Sequence, residues 1–130
     1  MLNLHHPPYI FGREVPTPVK CPQAVVIGGR RVELDRCLPK NPGDWSHELA
    51  RALAEANGIS YSQLVQRVVE YVRRFWLENG SCPPLSVLEA DLGVDRRTVM
   101  ESFGGSYDAI CILAGAEPPS GCLSRVLAGV

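Results

Sequence analysis

Past Asn41 the hydrophobic rhythm of the sequence changes from strand-like alternation to a helical repeat, and glycines cut that repeat into short pieces. Gly58, Gly80, Gly93, the Gly104-Gly105 pair and Gly115 each close an apolar stretch. Glycine enters the left-handed conformation that ends a helix without a Cβ penalty, so only short helices fit between these positions. Asn41-Pro42-Gly43 is read as a turn, with Asp44 capping a first helix over about residues 45–56. Ser60-Tyr61-Ser62-Gln63 is read as a capping box opening the longest helix, about 61–78, which carries Leu64, Val68, Val72 with Tyr71, then Phe75 and Trp76, and is expected to be the spine of the core. Pro83-Pro84 starts a third helix ending at Leu92, Asp95 caps a fourth to about Phe103, and Ser106 caps a fifth that stops at Gly115.

Upstream the pattern is different. Five prolines (Pro7, Pro8, Pro16, Pro18, Pro22) fall in residues 1–24, and proline removes backbone donors, so this leader is expected to be extended and irregular. His5 and His6 stand near no carboxylate and read as a polar pair, not as metal ligands. Residues 25–27 and 31–34 flank Gly28-Gly29, which supplies the positive φ of a two-residue hairpin turn. No helix start or lysine follows that pair, so it is not a phosphate loop. The expected fold is α+β and mainly α: an N-terminal β-hairpin followed by about five short helices. Residues 1–24 form the leader, 25–115 one globular domain and 116–130 a flexible C-terminal arm bearing Cys122 and a short extension.

Composition narrows the function. The 130 residues are 45% hydrophobic, enough for one core, and 13 basic against 14 acidic side chains leave a formal charge of −1. A polybasic nucleic-acid coat or membrane binder needs a large cationic excess, which is missing here. No apolar run approaches the roughly 20 residues that cross a bilayer, and the first residues lack the apolar stretch of a signal peptide. A cytoplasmic protein without membrane insertion is expected.

Five cysteines remain to be explained: Cys21, Cys37, Cys82, Cys111 and Cys122. Their number is odd and no C-x-x-C occurs, so neither a fully paired scaffold nor a zinc site is suggested. They are either scattered structural thiols or, for a few of them, redox or sulfur-handling groups. A Cys21–Cys37 pair or a metal site has no short ligand spacing behind it. No metal and no cofactor is expected.

Two segments carry candidate chemistry. Residues 85–103 place two short helices around Gly93, with Arg96, Arg97 and Thr98 opening the second, as in a helix-turn-helix unit that meets DNA. Glu89, Asp91, Asp95 and Glu101 surround those arginines and oppose phosphate. At the other segment Cys111 lies in the fifth helix and Cys122 on a Pro/Gly-rich arm. Fully extended, the seven residues from Gly115 to Gly121 span about 23 Å at roughly 3.3 Å each, the reach a carrier thiol needs to enter a partner. Folded back, the same arm can bring Cys122 to Cys111, where a disulfide needs Cα atoms about 4.4–6.8 Å apart.

The stretch IGGRRVELDRCLPKNPGDWSHELARALAEANGI, the aromatic-rich second helix and, above all, CILAGAEPPSGC resemble the DsrC/TusE family of sulfur-trafficking proteins. The resemblance runs from about Val26 to Cys122, and its most specific part is Ala-Gly followed by a Pro-rich Gly-Cys with ten residues between the two cysteines. It implies a mostly helical fold with a mobile C-terminal arm. It also implies a sulfur carrier that accepts sulfane sulfur as a persulfide on Cys122, with Cys111 as the resolving thiol, in dissimilatory sulfur metabolism or a related transfer pathway. The chain would then be a protein co-substrate more than a free-standing enzyme, meeting sulfurtransferase donors and a sulfite-reductase- or reductase-type acceptor. Having both cysteines places it on the DsrC side. Leu123 to Val130 extend past the family's usual end, and Ser86 and Ala90 stand where the family's third helix carries cations. Arg125, Arg96 and Arg97 are the remaining candidates to favour a thiolate. The alternative reading is a DsrC-like DNA-binding or interaction module with a Cys111–Cys122 redox switch.

Overall fold

The computed structural model describes residues 9–10, 13–14 and 19–119. Most of the leader, the end of the arm and Cys122 therefore lie outside the described residues. Within the leader, β1 (Tyr9–Ile10) and β2 (Arg13–Glu14) form a short antiparallel pair.

The hairpin follows its turn chemistry. β3 (Ala24–Ile27) pairs antiparallel with β4 (Arg30–Asp35) in the register Ala24↔Glu33 and Ile27↔Arg30. Gly28 and Gly29 at the turn have φ of 59° and 79°, the two positive values that a type I′ turn requires. Along β4 the side chains alternate, with Val32 and Leu34 buried and Arg31 and Glu33 exposed. A third strand, β5 (Leu38–Pro39), adds to β4 and completes a three-stranded sheet in the order β3-β4-β5. The sequence reading missed this strand. Its turn is made by Arg36 and Cys37 at φ 52° and 71°, and neither is a residue type that announces positive φ.

Five helices follow. Pro42–Asp44 forms a 3₁₀ turn capped by Asn41, whose Oδ1 accepts the Gly43 N–H at 3.1 Å. Asp44 is not a helix cap as expected, because its carboxylate is taken by Arg30. Helix α1 (His47–Ala56) starts two residues later than expected, on Ser46, whose hydroxyl accepts from Leu49 N. Helix α2 (Gln63–Asn79) is capped by Ser62 in place of Ser60 and ends at the left-handed Gly80. Its buried residues are Val65, Val68, Val69, Tyr71 and Val72, while Leu64, Phe75 and Trp76 are only half-buried. Helices α3 (Leu85–Leu92), α4 (Arg96–Ser102) and α5 (Tyr107–Leu113) begin at Pro84, Asp95 and Ser106, as their sequence signals indicate.

Helix α2 packs on α3, α4 and α5, and α5 also packs on α1. Tyr107 and every residue from Ala109 to Leu113 are buried, which makes α5 the apolar axis of the domain. Tyr71 donates its hydroxyl to Asp91 at 2.6 Å, and Arg67 donates to the Leu92 carbonyl at 2.9 Å, so α3 is tied to α2 by polar bonds as well as by packing. Among the described residues, no helix is long and apolar enough to cross a membrane.

Candidate functional site

The carboxyl end of α5 is closed with unusual completeness. Gly115 has φ 70°, and two backbone bonds wrap the helix end: Gly115 N to Ile112 O at 2.9 Å and Ala116 N to Cys111 O at 3.0 Å. This is a Schellman motif, and it explains why Ala-Gly-Ala follows the cysteine-bearing turn. A helix still leaves carbonyls without partners at its last turn. Here Trp45 Nε1 donates to Leu113 O at 2.9 Å, while Arg73 Nη1 reaches Ala114 O at 3.4 Å and Gly115 O at 3.5 Å. A cation at a helix carboxyl end is favoured by the helix dipole, and burial pulls the Arg73 guanidinium below its ordinary range. Ala114 and Ala116 are fully buried, so the chain first leaves the core at Glu117.

The described cysteines are paired. Cys82, in the non-helical stretch between α2 and α3, forms a disulfide with Cys111 of α5, with Cα atoms 5.9 Å apart. Both are buried, and the Tyr107 hydroxyl donates to Pro83 O at 2.8 Å, binding the same two segments a second time. Cys21 is joined to Cys37 with Cα atoms 4.8 Å apart. Beside that bond Asn57 holds the end of the leader, accepting Lys20 N–H at 2.6 Å and donating to Lys20 O at 3.0 Å.

A cavity of about 440 Å³ opens where the chain leaves the core. Its walls are apolar at Val19, Leu38 and Ile112 and charged at Arg36, Asp108 and Glu117. Burial raises the Asp108 carboxyl above its ordinary value. Burial also pushes the Tyr107 hydroxyl up to about 12, with the neighbouring Asp108 charge adding to the effect.

Of the two expected site residues, Cys111 is thus placed in α5 and bonded to Cys82, and Cys122 lies outside the described residues. Arg125, one of the cations weighed for the thiolate, lies outside them as well. Arg96 is engaged elsewhere: Glu89 accepts from its backbone N–H at 2.9 Å and from its guanidinium at 3.0 and 3.1 Å. Arg97 lines the same acidic surface with Glu89 and Asp95. The cation that meets the carboxyl end of α5 is Arg73, which sequence reasoning did not single out, and its partner Trp45 is read from sequence only as part of a helix. Ser86 and Ala90 stand in α3. Among the described residues, no three His, Cys, Asp or Glu side chains gather into a metal-holding group.

Comparison with known proteins completes the description. The model of the DsrC-like protein family matches residues 27–123, a span that includes both Cys111 and Cys122. Over 61 residues the chain is 38% identical to the sulfurtransferase TusE of Yersinia pseudotuberculosis serotype I (strain IP32953), covering 46% of this chain and 56% of that protein. Over 65 residues it is 35% identical to the TusE of Shigella dysenteriae serotype 1 (strain Sd197), covering 49% and 60%. The chain thus spans a little over half the length of the curated relatives it matches. In structure it is similar to the Pyrobaculum aerophilum DsrC/gamma subunit of dissimilatory sulfite reductase, with a TM-score of 0.67 and 33% identity over 82% of this chain and 99% of that one. The oxidized gamma-subunit from Archaeoglobus fulgidus shares the fold, with a TM-score of 0.65 at 20% identity over 76% and 98%. Neither these relatives nor the contacts of Arg96 support the DNA-binding alternative.

Proposed function

Since this chain belongs to the DsrC-like protein family, we propose that it is a sulfur carrier that takes sulfane sulfur as a persulfide on Cys122. Residues 116–130 are its arm, and Cys111, once a dithiol reductant has opened its bond to Cys82, is the thiol that resolves the loaded sulfur. The chain serves as a cytoplasmic protein co-substrate between a sulfurtransferase donor and a reductase-type acceptor. Two of its curated relatives are sulfurtransferases by name, and two of its structural relatives are gamma subunits of dissimilatory sulfite reductase.

The observation that carries this reading is the disposition of sulfur. The four described cysteines are joined to one another in two disulfides, so neither bond draws on Cys122, the fifth in the sequence. It follows a helix end closed by a Schellman motif and by Trp45 and Arg73, a firm base from which a short arm can deliver a thiol. The thiolate is the form that accepts sulfur, and an unperturbed thiol near pKa 8.5 is only about 3% ionised at neutral pH. A donor that presents a reactive persulfide compensates for that small fraction by exchange.

The test is the intact mass of the protein after incubation with a persulfide donor. The wild-type chain is expected to gain one sulfur atom, and Cys122→Ser to gain none. An adduct that persists in Cys122→Ser, on Cys21, Cys37 or Cys82, would contradict the assignment.

A further inference from the structure

We infer that the Cys21–Cys37 disulfide is a thiol-exchange site, which takes a small zwitterionic amino-acid thiol in the cavity beside it and holds it as a mixed disulfide on Cys21. This goes beyond the carrier reading and is independent of it, because no step involves Cys111 or Cys122.

The two disulfides differ in access. Cys82 and Cys111 are both buried, so a bulk thiol does not meet their bond in the folded protein. Cys37 is buried as well, but its partner Cys21 is exposed and lines the cavity of about 440 Å³. Thiol–disulfide exchange depends on which sulfur the attacking thiolate can reach. Here the outer sulfur is that of Cys21, and Cys37 is the leaving group on the inner side. The turn between β4 and β5 sets up this polarity. Arg36 and Cys37 both take positive φ, 52° and 71°, a conformation that non-glycine residues rarely hold. Between them the chain turns one side chain to the cavity wall and the next into the core.

The step needs no oxidant and no reductant beyond the thiol itself. The incoming thiol loses its proton, and its sulfur bonds to Cys21 Sγ. The Cys21–Cys37 bond breaks, its electron pair goes to Cys37 Sγ, and Cys37 takes up a proton. The products are a mixed disulfide on Cys21 and a Cys37 thiol, one S–S bond having broken and one formed. The released thiol finds an acceptor in place, since Cys37 Sγ lies 3.8 Å from the Lys20 carbonyl oxygen.

The cavity specifies the thiol. Its volume falls in the range of about 300–1,000 Å³ usual for small-molecule sites. Leu38 and Ile112 supply apolar wall, Arg36 a cation, and Asp108 and Glu117 two carboxyl groups. The Arg36 side chain is 80% exposed and meets Asp35 only at 4.0 Å, a contact that a ligand carboxylate can replace. One cation beside two acids fits a molecule carrying both a carboxylate and an ammonium group, and disfavours a purely anionic thiol. Cysteine itself is a small thiol of that kind.

The experiment exposes the full chain, disulfides intact, to excess cysteine without oxygen. The reaction is quenched with N-ethylmaleimide in urea and mapped by peptide mass. The expected product carries cysteine on Cys21 and the maleimide on Cys37, with Cys82 and Cys111 still joined. Cysteine is expected to react about tenfold faster per thiolate than neutral 2-mercaptoethanol or anionic 3-mercaptopropionate, the ratio one charge-assisted contact supports. Arg36→Gln, at an exposed position, is expected to remove most of that preference. Cys122→Ser is expected to exchange as the wild type does, whether or not Cys122 carries sulfur. The inference is overturned if Cys82 and Cys111 open as fast as Cys21, or if the adduct sits on Cys37. It is overturned equally if the three thiols react alike per thiolate, if Arg36→Gln keeps the preference, or if exchange vanishes in Cys122→Ser.

Discussion

The guanidinium carbon of Arg73 lies 4.9 Å from the centroid of the Trp45 ring, and the two side chains together cover the carbonyls of Leu113, Ala114 and Gly115 at the carboxyl end of α5. Trp45 comes from the extended residue between the 3₁₀ turn and α1, and Arg73 from the middle of α2. The helix that carries Cys111 is thus braced at its carboxyl end by groups from two other parts of the chain. Removing the indole donor by Trp45→Phe leaves Leu113 O without its partner, at a cost of about 1–2 kcal/mol. Arg73→Met keeps the aliphatic stem and loses the cation over the ring, at about 1 kcal/mol. Urea unfolding of both single variants and the double variant is expected to show a double loss smaller than the sum, since the two groups act on each other. Strict additivity would mean that they do not.

Gly115 has no room for a side chain. A Cβ there would stand 2.7 Å from Arg73 Nη1 and 2.7 Å from Trp45 Cδ1, and φ is 70°. The left-handed conformation alone costs a non-glycine residue about 1–2 kcal/mol. Gly115→Ala is therefore expected to lose at least that much in urea unfolding, while Gly80→Ala, at φ 74° with no atom near its Cβ, shows the conformational cost alone. Equal losses at the two sites would show that the Trp45–Arg73 cover yields without resistance.

Three tyrosines give the fold an alkaline limit. Burial pushes the hydroxyls of Tyr61, Tyr71 and Tyr107 up to about 12 from 10.0, helped at Tyr71 by its hydrogen bond to Asp91. The folded state therefore holds these protons where the unfolded chain releases them. That contribution to stability is fully present below pH 10 and is lost as pH rises from 10 towards 12. Phenolate absorbance of the native protein is expected to show these groups ionising near pH 12, with the urea midpoint falling across the same window. Ionisation of all three near pH 10 with a flat midpoint would contradict their burial.

What the sequence made legible was local. Gly28-Gly29 between β-branched residues fixed the hairpin, and Pro84, Asp95 and Ser106 fixed the starts of α3, α4 and α5, because turns and caps are decided by neighbours. Strand β5 was missed because Arg36 and Cys37 take positive φ without a glycine to show it. The start of α1 was misplaced because the Asp44 carboxylate pairs with Arg30 across the fold, and the capping box at Ser60 gave way to Ser62. Long-range partnerships left little to read: the Cys21–Cys37 pair was named from sequence but had no short spacing behind it, and the structure contains it. The Cys21–Cys37 and Cys82–Cys111 bonds join residues 16 and 29 positions apart, and Trp45 meets a carbonyl 68 positions away. Cys122 is proposed as the sulfur-bearing residue through resemblance to a family, and the Cys82 partner of Cys111 comes only from the structure.

Counting and locating the free thiol tests the account most directly. Native protein is treated with a small excess of an alkylating reagent, and the label is mapped by peptide mass. Five cysteines less four in disulfides leave one, so a single label per chain is expected, on Cys122, with no further label on unfolding without reductant. A Cys122 that resists the reagent until the protein is unfolded, or a native label on Cys82 or Cys111, would contradict the proposal of a carrier that loads sulfur on an accessible Cys122.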